Sequence, residues 1–165
     1  MKSLPAKGLA RALSVVALAG FALSVVVHMI SMVGFHSQIF LRFQIDLFFG
    51  MFFLFLPAAL AQERLLCQFS FRDRLRTFNP KLASKLWRRL ISPAPKWLRG
   101  LVFAVGVYTL IIFGAFIYTT NPAKPTSELD EIRLMSAFAA VFYAGAAMIL
   151  IAYARSDHPL NPAEF

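Results

Sequence analysis

One cysteine, Cys67, stands in a chain of 165 residues. A single thiol forms no intrachain disulfide and supports no dithiol redox chemistry within the chain. Four-span quinone-linked disulfide enzymes, which need cysteine pairs, are excluded on the same ground. Acids are scarce too: eight Asp and Glu face 17 Lys and Arg, for a net charge of +9. The sequence has no Gly-rich phosphate loop, no H-E-x-x-H, no C-x-x-C and no G-x-S-x-G. There are three histidines. His36 falls in a short polar turn and His158 follows the last apolar run, so only His28 lies at the depth of an apolar segment. A self-contained bis-histidine haem site is therefore not expected, and no zinc-type ligand cluster is visible. These absences leave no catalytic residue, no metal and no cofactor to assign.

What the chain has is oil. Hydrophobic residues make up 59% of it, against about 45–50% in soluble domains, and mean hydropathy is +0.66. The apolar residues gather in four long runs, and the sequence predicts an all-α integral membrane protein with spans at about 12–34, 39–62, 97–119 and 132–154. Residues 39–62 would rise about 36 Å as a helix, enough for a hydrocarbon core of about 30 Å. The whole of 1–165 reads as one four-helix transmembrane domain. The N-terminus resembles a signal peptide, with Lys2, Lys7 and Arg11 before Ala17-Leu18-Ala19. Only five residues separate Arg11 from that small-x-small site, too few for a signal core, so an uncleaved first span is expected.

The basic residues are unevenly placed. The N-terminus, residues 63–99 and the tail carry 14 Lys and Arg; the other connections carry Arg42, Lys124 and Arg133. By the positive-inside rule both termini and the basic loop are cytoplasmic, in an inner membrane of bacterial type. Topology accounts for the charge, and nucleic acid is not an expected partner. Within the loop, Asn79-Pro80 reads as a helix start. An amphipathic helix over about 80–91 follows, with Leu82, Ala83, Leu86, Trp87, Leu90 and Ile91 on one face. Lys81, Lys85, Arg88 and Arg89 lie on the other. With Trp87, these basic residues are expected to contact anionic lipid headgroups. Docking on a partner subunit is the alternative. Residues 155–165 read as a flexible cytoplasmic tail.

Candidate functional residues come from the interruptions in the oil. Ala17, Gly20, Ser24, His28 and Ser31 recur at three- and four-residue steps and line one face of span one. The short connection 35–38 makes spans one and two antiparallel neighbours. Counted from that turn, His28 and Asp46 lie at similar depth, and Arg42 is one helical turn from Asp46. An intramembrane cluster of His28, Arg42 and Asp46 is expected, because a charge in hydrocarbon is normally paired. Gly50 continues that face, and Pro57 is expected to kink the helix end. Gly100, Gly106 and Gly114 give span three a small side. Ser127 and Asp130 resemble a capping box for span four. Ser136, Ala137, Ala140, Ala144 and Ala147 give span four a packing side, and Tyr143 is a mid-span hydroxyl in need of a partner.

These features favour a non-catalytic accessory or structural subunit of a membrane complex. A small proton-coupled carrier, acting as a homo-oligomer through the Asp/His/Arg cluster, is the alternative. A membrane enzyme or redox-cofactor subunit is the third reading. The expected partners are the anionic bilayer and either a membrane-protein subunit or a second copy of the chain.

Overall fold

The structure, a computed structural model, describes residues 4–34, 38–66, 80–119 and 127–158. Cys67, His36, Asn79, the connection 120–126 and the tail 159–165 lie outside the described residues. Among the described residues there are five helices: α1 (Leu4–Met32), α2 (Gln38–Leu65), α3 (Pro80–Leu90), α4 (Lys96–Thr119) and α5 (Glu128–Arg155). No strand occurs among the described residues. The four long helices are apolar and long enough to cross a membrane.

The helix bounds follow local chemistry. α1 starts eight residues earlier than the apolar run, because Leu, Ala, Lys and Arg over residues 4–11 are all strong helix formers. It ends at Gly34, whose φ of +79° is the left-handed conformation that glycine adopts without strain. α2 runs through Pro57 without a break in its assignment. α3 opens at Pro80, where a missing N–H costs nothing. α5 is capped as its sequence predicts: the Asp130 amide donates to Ser127 Oγ at 3.2 Å, and the Ser127 hydroxyl donates to Asp130 Oδ2 at 2.7 Å. Glu128, Asp130 and Glu131 add negative charge in its first turn.

The centre of the molecule is α5, not the phenylalanine-rich α2. α5 packs against α1, α2 and α4, while α1 and α2 touch each other least of these pairs. Of the most apolar stretch of α5, 56% is buried, against 28% for α2. The cause is size. Ala137, Ala139, Ala140, Ala144, Ala146 and Ala147 are buried on several sides of α5, so three helices approach it closely. The α2 phenylalanines mostly point outward: Phe49, Phe52, Phe53 and Phe55 are exposed.

Tyr143 is keyed into this packing. Its hydroxyl donates to the Leu47 carbonyl of α2 at 2.8 Å. Its ring lies over Gly20 of α1, and a Cβ added at Gly50 of α2 would stand 2.6 Å from its Oη. Two glycines on two helices thus make room for one tyrosine on a third. Span three behaves differently from its sequence pattern. A Cβ added at Gly100, Gly106 or Gly114 would meet nothing within 4 Å, so the small side of α4 is turned away from the chain.

One end of the molecule collects the basic residues. Lys7 pairs with Asp157 at 3.7 Å, placing the start of α1 beside the end of α5. Leu86, Leu90 and Ile91 of α3 pack with Leu65, Leu66 and Tyr153. The start of α4 joins the same end through Ala94 and Leu98 against Met148 and Ala152. The apolar stripe of α3 is therefore covered in part by the chain itself.

Candidate functional site

At the opposite end a polar network joins all four long helices. His28 of α1 is buried, and its Nδ1 lies 3.0 Å from Ser136 Oγ of α5. Its Nε2 lies 2.6 Å from Tyr108 Oη of α4. Ser136 Oγ also lies within hydrogen-bond distance of the Ile132 carbonyl at 2.8 Å and the Arg133 carbonyl at 3.0 Å. With its one proton on either carbonyl, Oγ accepts from His28 Nδ1, and in that neutral tautomer Tyr108 donates to Nε2. The rings of His28 and Tyr108 also meet edge to face, 5.4 Å between centroids.

Ile132 O is the junction with α2. The buried Gln44 donates to it through Nε2 at 2.8 Å. Gln44 Oε1 is buried and has no hydrogen-bond partner. α4 makes a second link where Thr109 Oγ1 donates to the Ala137 carbonyl at 3.2 Å. At the rim, Arg133 holds the end of α1. It donates to the Ser31 carbonyl at 3.3 Å and pairs with Asp130 at 3.1 Å. Ser31 Oγ donates in turn to the His28 carbonyl at 2.6 Å. Carbonyls in the last turn of a helix lack helical partners, and a cation beside them also faces the negative end of the helix dipole.

The predicted cluster does not assemble. His28 is buried as expected, but Arg42 and Asp46 are both exposed on the outer face of α2. Neither makes a hydrogen bond or ion pair among the described residues. The difference lies in the azimuth of α2. The α2 residue that meets the His28 network is Gln44, two positions from each charge and so about 200° around the helix. The buried stripe of α2 is Gln44, Leu47, Met51, Leu54, Ala58, Ala61 and Leu65, with alternating steps of three and four. That period was present in the sequence and locates Gln44; the two charges drew attention to the other side. Arg42 lies one turn from the start of α2, where a long cationic side chain reaches the helix end without entering the core.

The remaining predicted residues lie elsewhere. Lys85, Arg88 and Arg89 are exposed on α3, as is Trp87, while the Lys81 side chain is outside the described residues. Among the described residues no group of three or more His, Cys, Asp or Glu is placed to hold a metal ion. The chemistry of the network is that of a clasp. The imidazole and the hydroxyls of Ser136, Tyr108 and Thr109 are each engaged between helices, and among the described residues no carboxylate bonds to His28. No family model, no curated protein and no solved structure matches the chain.

Proposed function

We propose that this chain is a non-catalytic accessory or structural subunit of a membrane complex, integral to an inner membrane of bacterial type with both termini cytoplasmic. The observation that carries the subunit reading is α4. It packs chiefly on α5, and only 6% of its most apolar stretch is buried. Its outward face interleaves Gly106 and Gly114 with Phe103, Val107 and Leu110, all five open to a neighbour. Interior helix glycines cost about 1 kcal/mol each in helix propensity, and no described residue of this chain uses the space they leave. A close helix from another subunit does. The interior polar groups support the same reading, since they bind helices to one another. The carrier reading loses its constellation with the exposure of Arg42 and Asp46.

Orientation rests on the basic end, where α3, the start of α1 and the end of α5 gather, and on the acids at the start of α5. Exposed Trp87, Lys85 and Arg88 suit α3 to the headgroup layer. The test is purification in mild detergent from the native source. A stoichiometric partner is expected, and Gly106→Leu with Gly114→Leu is expected to release it while leaving the isolated chain as stable as before. A monomer without partner, or a partner indifferent to both substitutions, overturns the subunit reading. For orientation, a cysteine placed at Ser84 in a Cys67→Ala background is expected to resist a membrane-impermeant label in intact cells.

A further inference from the structure

We infer that the groove between α1, α2 and the end of α5 binds one anionic phospholipid, with its phosphate on Arg64 and an acyl chain against Pro57, Leu60 and Leu13. The groove has a volume of about 410 Å³. It exists because α1 and α2 touch each other less than either touches α5, and because alanines stand where larger side chains would close it: Ala6 and Ala10 on α1, Ala61 on α2. Its walls are apolar save at one end. In a bilayer such a groove fills with hydrocarbon, because water has no polar partners there.

Three polar groups mark the end that a headgroup would occupy. Arg64 lines the groove from the last turn of α2, is exposed, and has no ion pair among the described residues. Tyr153 lines it from α5, with a hydroxyl that makes no hydrogen bond among the described residues. Lys7 lies one residue from Ala6, held only by the 3.7 Å pair with Asp157, whose side chain is 89% exposed. So open a pair contributes little and yields readily to a phosphate. A guanidinium and a hydroxyl are good phosphate ligands. From Arg64 to Pro57 is seven residues, about 10 Å along the helix. The groove thus puts charge at one end and two turns of oil beneath it, the order of groups in a phospholipid.

A second groove provides the internal comparison. It lies between α2, α3, α4 and α5, has a volume of about 320 Å³, and is walled by Met51, Phe55, Trp87 and Phe142 with Gln62 at its edge. No charged side chain lines it, so it accepts hydrocarbon without preference for a headgroup. Arg64 is what separates the two.

The inference rests on the membrane reading above but not on the subunit reading. Native mass spectrometry of the delipidated full chain in detergent tests it, with phosphatidylglycerol and phosphatidylcholine of identical chains as probes. The wild type is expected to retain one phosphatidylglycerol more tightly than phosphatidylcholine. Arg64→Gln is expected to weaken phosphatidylglycerol about fivefold, the effect of one basic residue at an anionic surface, and to leave phosphatidylcholine unchanged. Ala6→Trp, at an exposed position on the groove rim, is expected to weaken both. Arg42→Gln removes an exposed cation at the far end of α2 and is expected to change neither. Equal retention of the two lipids, a preference that survives Arg64→Gln, or an equal loss in the Arg42 variant overturns the site. Release of the chain from bilayers by alkaline carbonate overturns the membrane reading and the site with it.

Discussion

The fit of Tyr143 between two glycines makes a selective prediction. At Gly50 an added Cβ meets Tyr143 Oη at 2.6 Å but Cζ only at 3.9 Å, an ordinary contact. At Gly20 the added Cβ runs into the ring itself, with Cζ at 2.8 Å and two further ring carbons nearer still. Gly50→Ala and Gly20→Ala therefore each overpack the core, at about 1–3 kcal/mol, offset by about 0.5–1 kcal/mol of gained helix propensity. Tyr143→Phe alone deletes the bond to Leu47 O, worth about 0.6 kcal/mol and at most about 1.7 in a membrane protein. Removing that oxygen also removes the clash at Gly50 and leaves the clash at Gly20. In the Tyr143→Phe background, Gly50→Ala is thus expected to be neutral or to stabilise by up to about 1 kcal/mol, while Gly20→Ala still destabilises. Thermal unfolding in one detergent, followed by near-UV circular dichroism, resolves this, since each kcal/mol moves Tm by about 2–4 °C in a chain of this size. Rescue of both alanines by Tyr143→Phe, or of neither, refutes the packing geometry.

The exposed charges and the buried amide give two more tests. Asp46→Asn and Arg42→Gln are each expected to move stability by less than about 0.5 kcal/mol, with no coupling between them in a double-mutant cycle; a loss of several kcal/mol from either would put a partner beside it. Gln44→Leu removes an unpaired acceptor, a burden of about 1–3 kcal/mol, at the loss of one hydrogen bond worth about 0.5–1.5. It is expected to be neutral or stabilising by the same unfolding assay, whereas Gln44→Ala opens a cavity and destabilises.

How much of this was legible depended on which force set each feature. Small residues at helical spacing placed the inner face of α1, because close approach of backbones selects size in any solvent. The face of Ala17, Gly20, Ser24, His28 and Ser31 is buried throughout. The α5 cap was legible because it is local, and the need of Tyr143 for a partner because an unbonded hydroxyl in a core is costly. The phase of α2 is hidden by its composition. In water, apolar residues mark the inside of a helix; in a chain apolar all round, Phe53 and Leu54 are equally oily and only one is buried. Charge then looked like the marker of function, yet Asp46 and Arg42 lie outside while the uncharged Gln44 is within. α4 shows the converse. Its glycines are spaced for packing, but a sequence does not say whether the neighbour is in the same chain, and here no described residue fills the space beside them.

The order of the chain adds a consequence. The acceptors that α1, α2 and α4 use are on α5, the last helix: Ser136 for His28, the Ile132 carbonyl for Gln44, the Ala137 carbonyl for Thr109. Gly20 and Gly50 likewise face a tyrosine that arrives with α5. Between α1 and α4 the structure places a side-chain bond from His28 to Tyr108. A chain stopped after α4 leaves His28 Nδ1, Gln44 Nε2 and Thr109 Oγ1 without those acceptors, each unpaired group costing several kcal/mol in hydrocarbon. Such a truncation is expected to be degraded in cells, and expression of residues 120–165 as a separate polypeptide is expected to restore its level. Ser136→Ala in the supplied piece is expected to weaken that rescue, because it withdraws the acceptor of His28 while keeping the helix. A truncated chain that accumulates as fully as the intact one would mean that the first three spans are stable by themselves, and the central place of α5 in the fold would be refuted.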